Sequence, residues 1–344
     1  MRQVRLGRTG LMVSAVGFGG IPIQRLDDDG AVQVVRHCLD AGVTFLDTAH
    51  GYTTSEARIG RAIAGRREGL VLATKTHALD AAALRADLEQ SFRALGVAYI
   101  DLFQFHNVST RPHLEAVLAP GGLLEIVQGE VVAGRIGHVG VTSHSLDMAR
   151  ELVDCGEFET LMFPFNFIAD EPARELLPLC RARDMGLIAM KPMGGGLLGD
   201  ATLAIQFLRQ FPDVLPLVGI ERAEEMDEIA AIMAGPAAMT DAERAAIARL
   251  RAELGERFCR RCGYCQPCPQ EIDIPTIMNF RSFYKRFPPE RFFGPWGAVA
   301  IAKAEQCADC GECESRCPYH LPIREMMREI VAWYRQEEMV RQKR

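Results

Sequence analysis

Gly17-Phe18-Gly19-Gly20-Ile21-Pro22 separates two common ways of building an alternating α/β chain. A doubly wound dinucleotide-binding sheet carries G-x-G-x-x-G on the turn that takes its first strand directly into a helix. Here the glycines lead to Ile21-Pro22 and not to a helix, so that fingerprint is missing. Around this stretch, short apolar runs alternate with amphipathic ones over residues 1–220. The runs read as strands are 15–18, 44–47, 70–74, 100–105, 136–141, 161–165, 187–190 and 214–218. Helical patterns such as 31–41, 55–64, 80–95 and 170–184 lie between them. Eight strands with right-handed helical crossovers predict a closed (β/α)8 TIM barrel over residues 1–238. The open sheet is the alternative.

Composition narrows the classes further. The 344 residues are 48% hydrophobic and 24% charged, a globular balance that supplies a sizeable core. A net charge of −6 gives no basic footprint for a nucleic-acid or anionic-membrane partner. Arg2, Arg5 and Arg8 ahead of an apolar run over 10–23 imitate a secretion signal. Gly17, Gly19, Gly20 and Pro22 break that run, and it flows into the strand–helix pattern, so it reads as folded protein. No stretch of about 18 uncharged apolar residues reads as a membrane span. A cytoplasmic chain is the expectation.

Chemistry in such a barrel belongs at the C-terminal strand ends. The second strand ends Asp47-Thr48-Ala49-His50-Gly51-Tyr52, the third Thr74-Lys75, and the fourth Gln104-Phe105-His106-Asn107. A carboxylate, a phenol, an ammonium and an imidazole can therefore meet in one pocket. A phenol titrates near pH 10, too weak an acid to protonate a reducing carbonyl efficiently. A neighbouring ammonium favours phenolate, and a carboxylate holds that ammonium in place. Taken singly, each residue reads as a loop or cap hydrogen bond; four on adjacent strand ends read as a site.

The segment 45–60, with Thr74-Lys75, residues 104–107 and 137–143, resembles the aldo-keto reductase superfamily over residues 1 to about 235. Leu6-Gly7-Arg8-Thr9-Gly10-Leu11 and Gly17-Phe18-Gly19 agree with it. The resemblance implies Tyr52 as general acid, Lys75 and Asp47 tuning it, and His106 orienting a carbonyl. It also implies NADP or NAD held without a Rossmann fold. Thr142 and Ser143 then match the residues that hold the nicotinamide carboxamide, with Asn166 beside them. Met190 stands where an aromatic often stacks on the ring, Lys191 follows it, and Met162 stands where Gln is common. Gly219 opens the stretch that meets the adenosine phosphate. Arg222 lies there with Glu221, Glu224 and Glu225, and carboxylates repel a 2′-phosphate, so neither nucleotide is preferred.

Eight of the 11 cysteines lie between residues 259 and 317. Cys38, Cys155 and Cys180 stand alone and read as small buried hydrophobes. The two runs are Cys259-x-x-Cys262-x-x-Cys265-x-x-Cys268-Pro269 and Cys307-x-x-Cys310-x-x-Cys313-x-x-x-Cys317-Pro318. The second has the spacing of bacterial [4Fe–4S] ferredoxins; the first is one residue short before its last cysteine. By analogy with two-cluster ferredoxins, Cys259, Cys262, Cys265 and Cys317 take one cluster and Cys307, Cys310, Cys313 and Cys268 the other. Two tetrahedral zinc sites are the rival reading, and disulfides the weakest. Residues 239–344 are thus expected to form a small helical ferredoxin-like iron–sulfur domain, with a helix over 240–255, another over 323–335 and a charged tail over 335–344. Barrel and module together resemble the iron–sulfur branch of the aldo-keto reductases. The function expected is NAD(P)-dependent interconversion of a small-molecule carbonyl and alcohol, with clusters for relay or bracing and scope for a redox partner protein. The alternative is an electron-transfer or partner-binding iron–sulfur protein on a barrel scaffold.

Overall fold

Strands β1 (Gln3–Arg5) and β2 (Met12–Ser14) form an antiparallel hairpin with Val4 opposite Val13 in a computed structural model that describes residues 1–342. Eight parallel strands follow and close into a barrel: β3 (Gly17–Gly19), β4 (Phe45–Asp47), β5 (Val71–Thr76), β6 (Ile100–Phe105), β7 (Ile136–Thr142), β8 (Thr160–Pro164), β9 (Gly186–Met190) and β10 (Val214–Gly219). Each pairs with the next, and β10 returns to β3 with Leu217 opposite Gly17. The parallel sheet is therefore closed, not open.

Two apolar layers hold it. Inside, Val4, Leu6 and Val13 of the hairpin region pack with Phe45, Leu102, Met162 and Leu217 of the strands. Outside, helices lay faces such as Val34, Val35 and Leu39 or Leu84, Leu88 and Phe92 on the strands. Each such buried side chain contributes about 1.5–3 kcal/mol. Interior space is tight: a Cβ at Gly140 would meet Thr160 Oγ1 at 2.1 Å, so β7 can pass β8 there only as glycine. The helices start where the sequence supplies caps. Asp27 accepts from Gly30 N ahead of the helix Asp28–Asp40, and Asp80 accepts from Ala83 N ahead of Ala81–Leu95.

Three local readings change. Residues 15 and 16 precede the first barrel strand, because Ala15 N is bonded to Arg2 O on the hairpin side. The helix expected over 170–184 divides into Glu171–Glu175 and Leu177–Ala182. Pro178 lacks an N–H and its ring crowds the preceding turn, which breaks the ladder. The last helix runs Ile323–Gln342, so most of the charged tail is helical, with Arg335 paired to Glu305 and Glu338. Lys343 and Arg344, the end of that tail, lie outside the described residues.

The chain falls into two compact units, one of Met1–Gly194 with Leu198–Met239, the other of Gly195–Leu197 with the residues from Thr240 onward. In the second, the helix Asp241–Leu254 starts on a capping box between Thr240 and Glu243. Short helices follow around a core of Phe280, Phe292, Ile301, Met327 and Tyr334, against which Cys259, Cys268 and Cys307 are half-buried. Among the described residues, no helix is long and apolar enough to cross a membrane.

Candidate functional site

The strand ends β4, β5 and β6 bring the four expected residues together. Asp47 closes β4, and Lys75 lies one residue before the end of β5; both are about 2% exposed. Lys75 Nζ donates to Asp47 Oδ2 at 2.5 Å and to Thr48 O at 2.7 Å. Gln104 Nε2 donates to Asp47 Oδ1 at 3.0 Å from the next strand. Tyr52 is half-buried; its hydroxyl is hydrogen-bonded to Lys75, whose Nζ lies 5.0 Å from the ring centroid. His106, directly after β6, meets Tyr52 edge-on at 5.7 Å and stacks on His77 at 3.8 Å.

Electrostatics keep Lys75 charged. Burial pulls its pKa down, but the charges and hydrogen bonds of Asp47 and Tyr52 outweigh burial and leave it raised. Burial lifts Asp47 above the usual carboxylate range, and Lys75 and Gln104 pull it back only in part.

A supporting layer was not read from the sequence. Glu56, 5% exposed, accepts from Thr74 Oγ1 at 2.6 Å, and burial raises its pKa. His50 stands between Glu56 and Asp87, with Asp87 Oδ1 at 3.3 Å from its Nε2. Asp87 in turn accepts from Thr76 Oγ1. His144 was also missed. It directly follows Thr142-Ser143 but has no partner at motif spacing, so only the fold shows its neighbours.

The expected nicotinamide residues lie around the same mouth. Thr142 Oγ1 accepts from Asn107 N at 2.7 Å, and Ser143 Oγ accepts from Ser145 N at 3.2 Å. Asn166 Oδ1 accepts from Ile168 N and Ala169 N, and its Nδ2 donates to Lys191 O. This donor set has hydroxyls and an amide and no carboxylate, which fits an uncharged carboxamide carrying both donor and acceptor. Met190 ends β9, half-buried and apolar, while Met162 points into the barrel core. At the β10 end, Gly219 is the last strand residue and Arg222 is exposed, its Nη2 2.8 Å from Glu225 Oε1. Glu221 pairs with Arg25 at 3.3 Å.

In the second unit the thiols surround a space. Cys268 of the first run and Cys307, Cys310 and Cys313 of the second line one cavity, which Cys265 also reaches. Cys317, last of the second run, is a charge neighbour of Cys262 in the first. Cys265 has Cys259 and Cys262 as charge neighbours, and Cys313 of the second run as well. Burial raises the thiols of Cys262 and Cys313 and pushes Cys265 up to about 12. A metal deprotonates such thiols outright on binding. Eight thiols, six of them in or against the apolar core and Cys310 exposed, are a soft donor set that fits iron–sulfur clusters. Cys38, Cys155 and Cys180 lie apart, their thiols all raised by burial.

The pattern of the Aldo/keto reductase family matches residues 15–205, more than half of the chain. That of a 4Fe-4S dicluster domain matches residues 258–322. Among solved structures, an aldo-keto reductase from Bacillus halodurans in its holo form is similar at a TM-score of 0.63 and 22% identity, over 73% of this chain and 96% of that one. An aldo-keto reductase from Klebsiella pneumoniae in complex with NADPH gives 0.61 and 24%, over 73% and 95%. At these identities the likeness is one of fold.

Proposed function

The chain belongs to the aldo/keto reductase family, with a 4Fe-4S dicluster domain towards its C-terminus, and from that premise we propose that it is an NAD(P)-dependent oxidoreductase interconverting a carbonyl and an alcohol. The observation that carries the reading is the Asp47–Lys75–Tyr52 chain of hydrogen bonds beside His106. NADPH in the Klebsiella relative supports the class of cofactor.

Bound nicotinamide supplies the hydride. Tyr52 gives its hydroxyl proton to the carbonyl oxygen as charge develops there, so its effect is realised in the transition state. Lys75, held charged by Asp47, stabilises the phenolate that remains until solvent reprotonates it. His106 orients the carbonyl oxygen towards Tyr52. In the reverse direction the phenolate takes the alcohol proton. Residues 1–238 are the reductase barrel in this account, and residues 239–344 carry two [4Fe–4S] clusters. The Cys268 cavity and the Cys262–Cys317 neighbourhood support the crossed ligand sets.

The test is anaerobic titration of the protein with NADH and NADPH, followed by a panel of small aldehydes and ketones. Nicotinamide binding with carbonyl-dependent oxidation is expected. Iron-loaded protein that binds neither nucleotide would replace this reading by the electron-transfer scaffold.

A further inference from the structure

The residues assigned to the carboxamide share one hydrogen-bonded web, and His144 is its centre. Its Nε2 lies 2.9 Å from Lys191 Nζ, and its Nδ1 lies 2.8 Å from Asn107 Oδ1. A charged ammonium only donates, so Nε2 must accept and the ring proton must sit on Nδ1, where Asn107 Oδ1 receives it. Ser109 Oγ donates to the same Oδ1 at 2.9 Å and accepts from His144 N at 2.9 Å. Asn107 N donates to Thr142 Oγ1, and Asn166 Nδ2 donates to Lys191 O. One protonation pattern satisfies every link.

Two further facts mark this web as more than loop packing. β8 separates β7 from β9, so the Lys191–His144 bond joins two strand ends that no sheet ladder connects. Both ends of the relay also sit in the left-handed region, Asn107 at φ 61° and Lys191 at φ 55°. A lysine rarely adopts that conformation, and such outliers gather where surrounding structure imposes a geometry for function.

We propose that His144 is a positioning residue for the nicotinamide: held as the Nδ1–H tautomer between Lys191 and Asn107, it fixes the strand ends that carry Thr142, Ser143 and Asn166 in the geometry that receives the carboxamide. The inference rests on the NAD(P) reading above. It does not make His144 a proton donor to substrate.

Three variants separate the two bonds. His144→Gln keeps an acceptor for Lys191, His144→Asn keeps a donor for Asn107, and His144→Leu removes both. Fluorescence titration with NADPH and NADH should show Kd raised about tenfold to a hundredfold in His144→Leu, the effect of one or two hydrogen bonds. The two polar variants should fall between it and wild type. At saturating nicotinamide, kcat should stay within about threefold of wild type, a split that general loosening of the fold does not produce. Nitrogen-15 NMR of the imidazoles should show His144 as Nδ1–H in wild type and a mixture in Lys191→Met. An unchanged Kd in folded His144→Leu, or an Nε2–H tautomer in wild type, overturns the proposal. Wild type that binds neither nucleotide overturns the function reading and this inference with it.

Discussion

The barrel mouth and the cysteine region solve the burial of reactive groups in opposite ways. At the mouth, each buried charge has its partner in the chain: Lys75 has Asp47 and Thr48 O, and Asp47 has Lys75 and Gln104. Among the cysteines, burial drives the thiols of Cys262, Cys265 and Cys313 towards the protonated form, and Arg260 beside Cys262 offsets it only in part. One site is organised before any guest arrives. The other becomes charged only when its thiols give up their protons to a metal, so metal affinity there should fall as pH falls.

The comparison breaks first at Lys75. Lys75→Met leaves Asp47 buried without its cation, which should cost about 3–5 kcal/mol in denaturant unfolding and abolish carbonyl turnover. The double variant Asp47→Leu, Lys75→Met removes both charges. It should recover most of the stability and none of the turnover. If turnover returned with stability, the pair would be a structural brace only.

The next largest effect belongs to the other region. Cys317→Ser should remove about four of eight iron atoms per chain after anaerobic reconstitution, with the loss in the cluster ligated by Cys259, Cys262 and Cys265. Nicotinamide affinity should stay at the wild-type value. Stoichiometric zinc in place of iron, or loss confined to the cluster of the second run, would contradict the ligand sets. Chelation of the iron should likewise lower the thermal stability of the C-terminal region and leave nucleotide binding intact.

Glu56 gives a smaller, pH-dependent difference. Burial raises its carboxyl above the ordinary 4.5 of a glutamate, against the pull of Thr74 and Ser91. The folded state then binds a proton that the unfolded state has released, so stability from this group is full below about 4.5 and falls as pH rises through the raised value. The slope is at most about 1.4 kcal/mol per pH unit. Glu56→Gln should flatten the unfolding free energy above pH 4.5, and a profile identical to wild type would remove Glu56 as its source.

The smallest effect concerns the adenosine end. Arg222 is tied to Glu225, and Glu221 is paired with Arg25, so a 2′-phosphate meets little net positive charge. Preference for NADP over NAD should remain under about a hundredfold, or 2.8 kcal/mol. Larger discrimination in paired titrations would contradict that electrostatic reading.

Much of the barrel was legible because its strands are buried apolar runs between capped helices, a pattern that survives without tertiary knowledge. The missing dinucleotide fingerprint at residues 17–22 favoured the closed barrel and left the open sheet as the alternative, which the β10–β3 pairing rules out. The hairpin was not legible: β1 and β2 have three residues each, too short for a period to show. Neither was the break at Leu176, where Pro178 lay inside an otherwise helical pattern. Within the site, Asp47, Lys75 and His106 were readable as strand-end residues, and the fold brings them to Tyr52. Gln104, Glu56 and His144 were not, because each is defined by a partner 18 to 57 residues away and by no local spacing.

The central claim is that the barrel mouth uses Tyr52 as the proton donor in carbonyl reduction. Its direct test is kcat for carbonyl-dependent oxidation of reduced nicotinamide by wild type and Tyr52→Phe, at saturating nucleotide and under anaerobic conditions. Phenylalanine keeps the ring that meets His106 and removes only the hydroxyl. The account predicts a fall of about 10²–10⁴-fold with nucleotide Kd unchanged. Equal rates in the two proteins would contradict it.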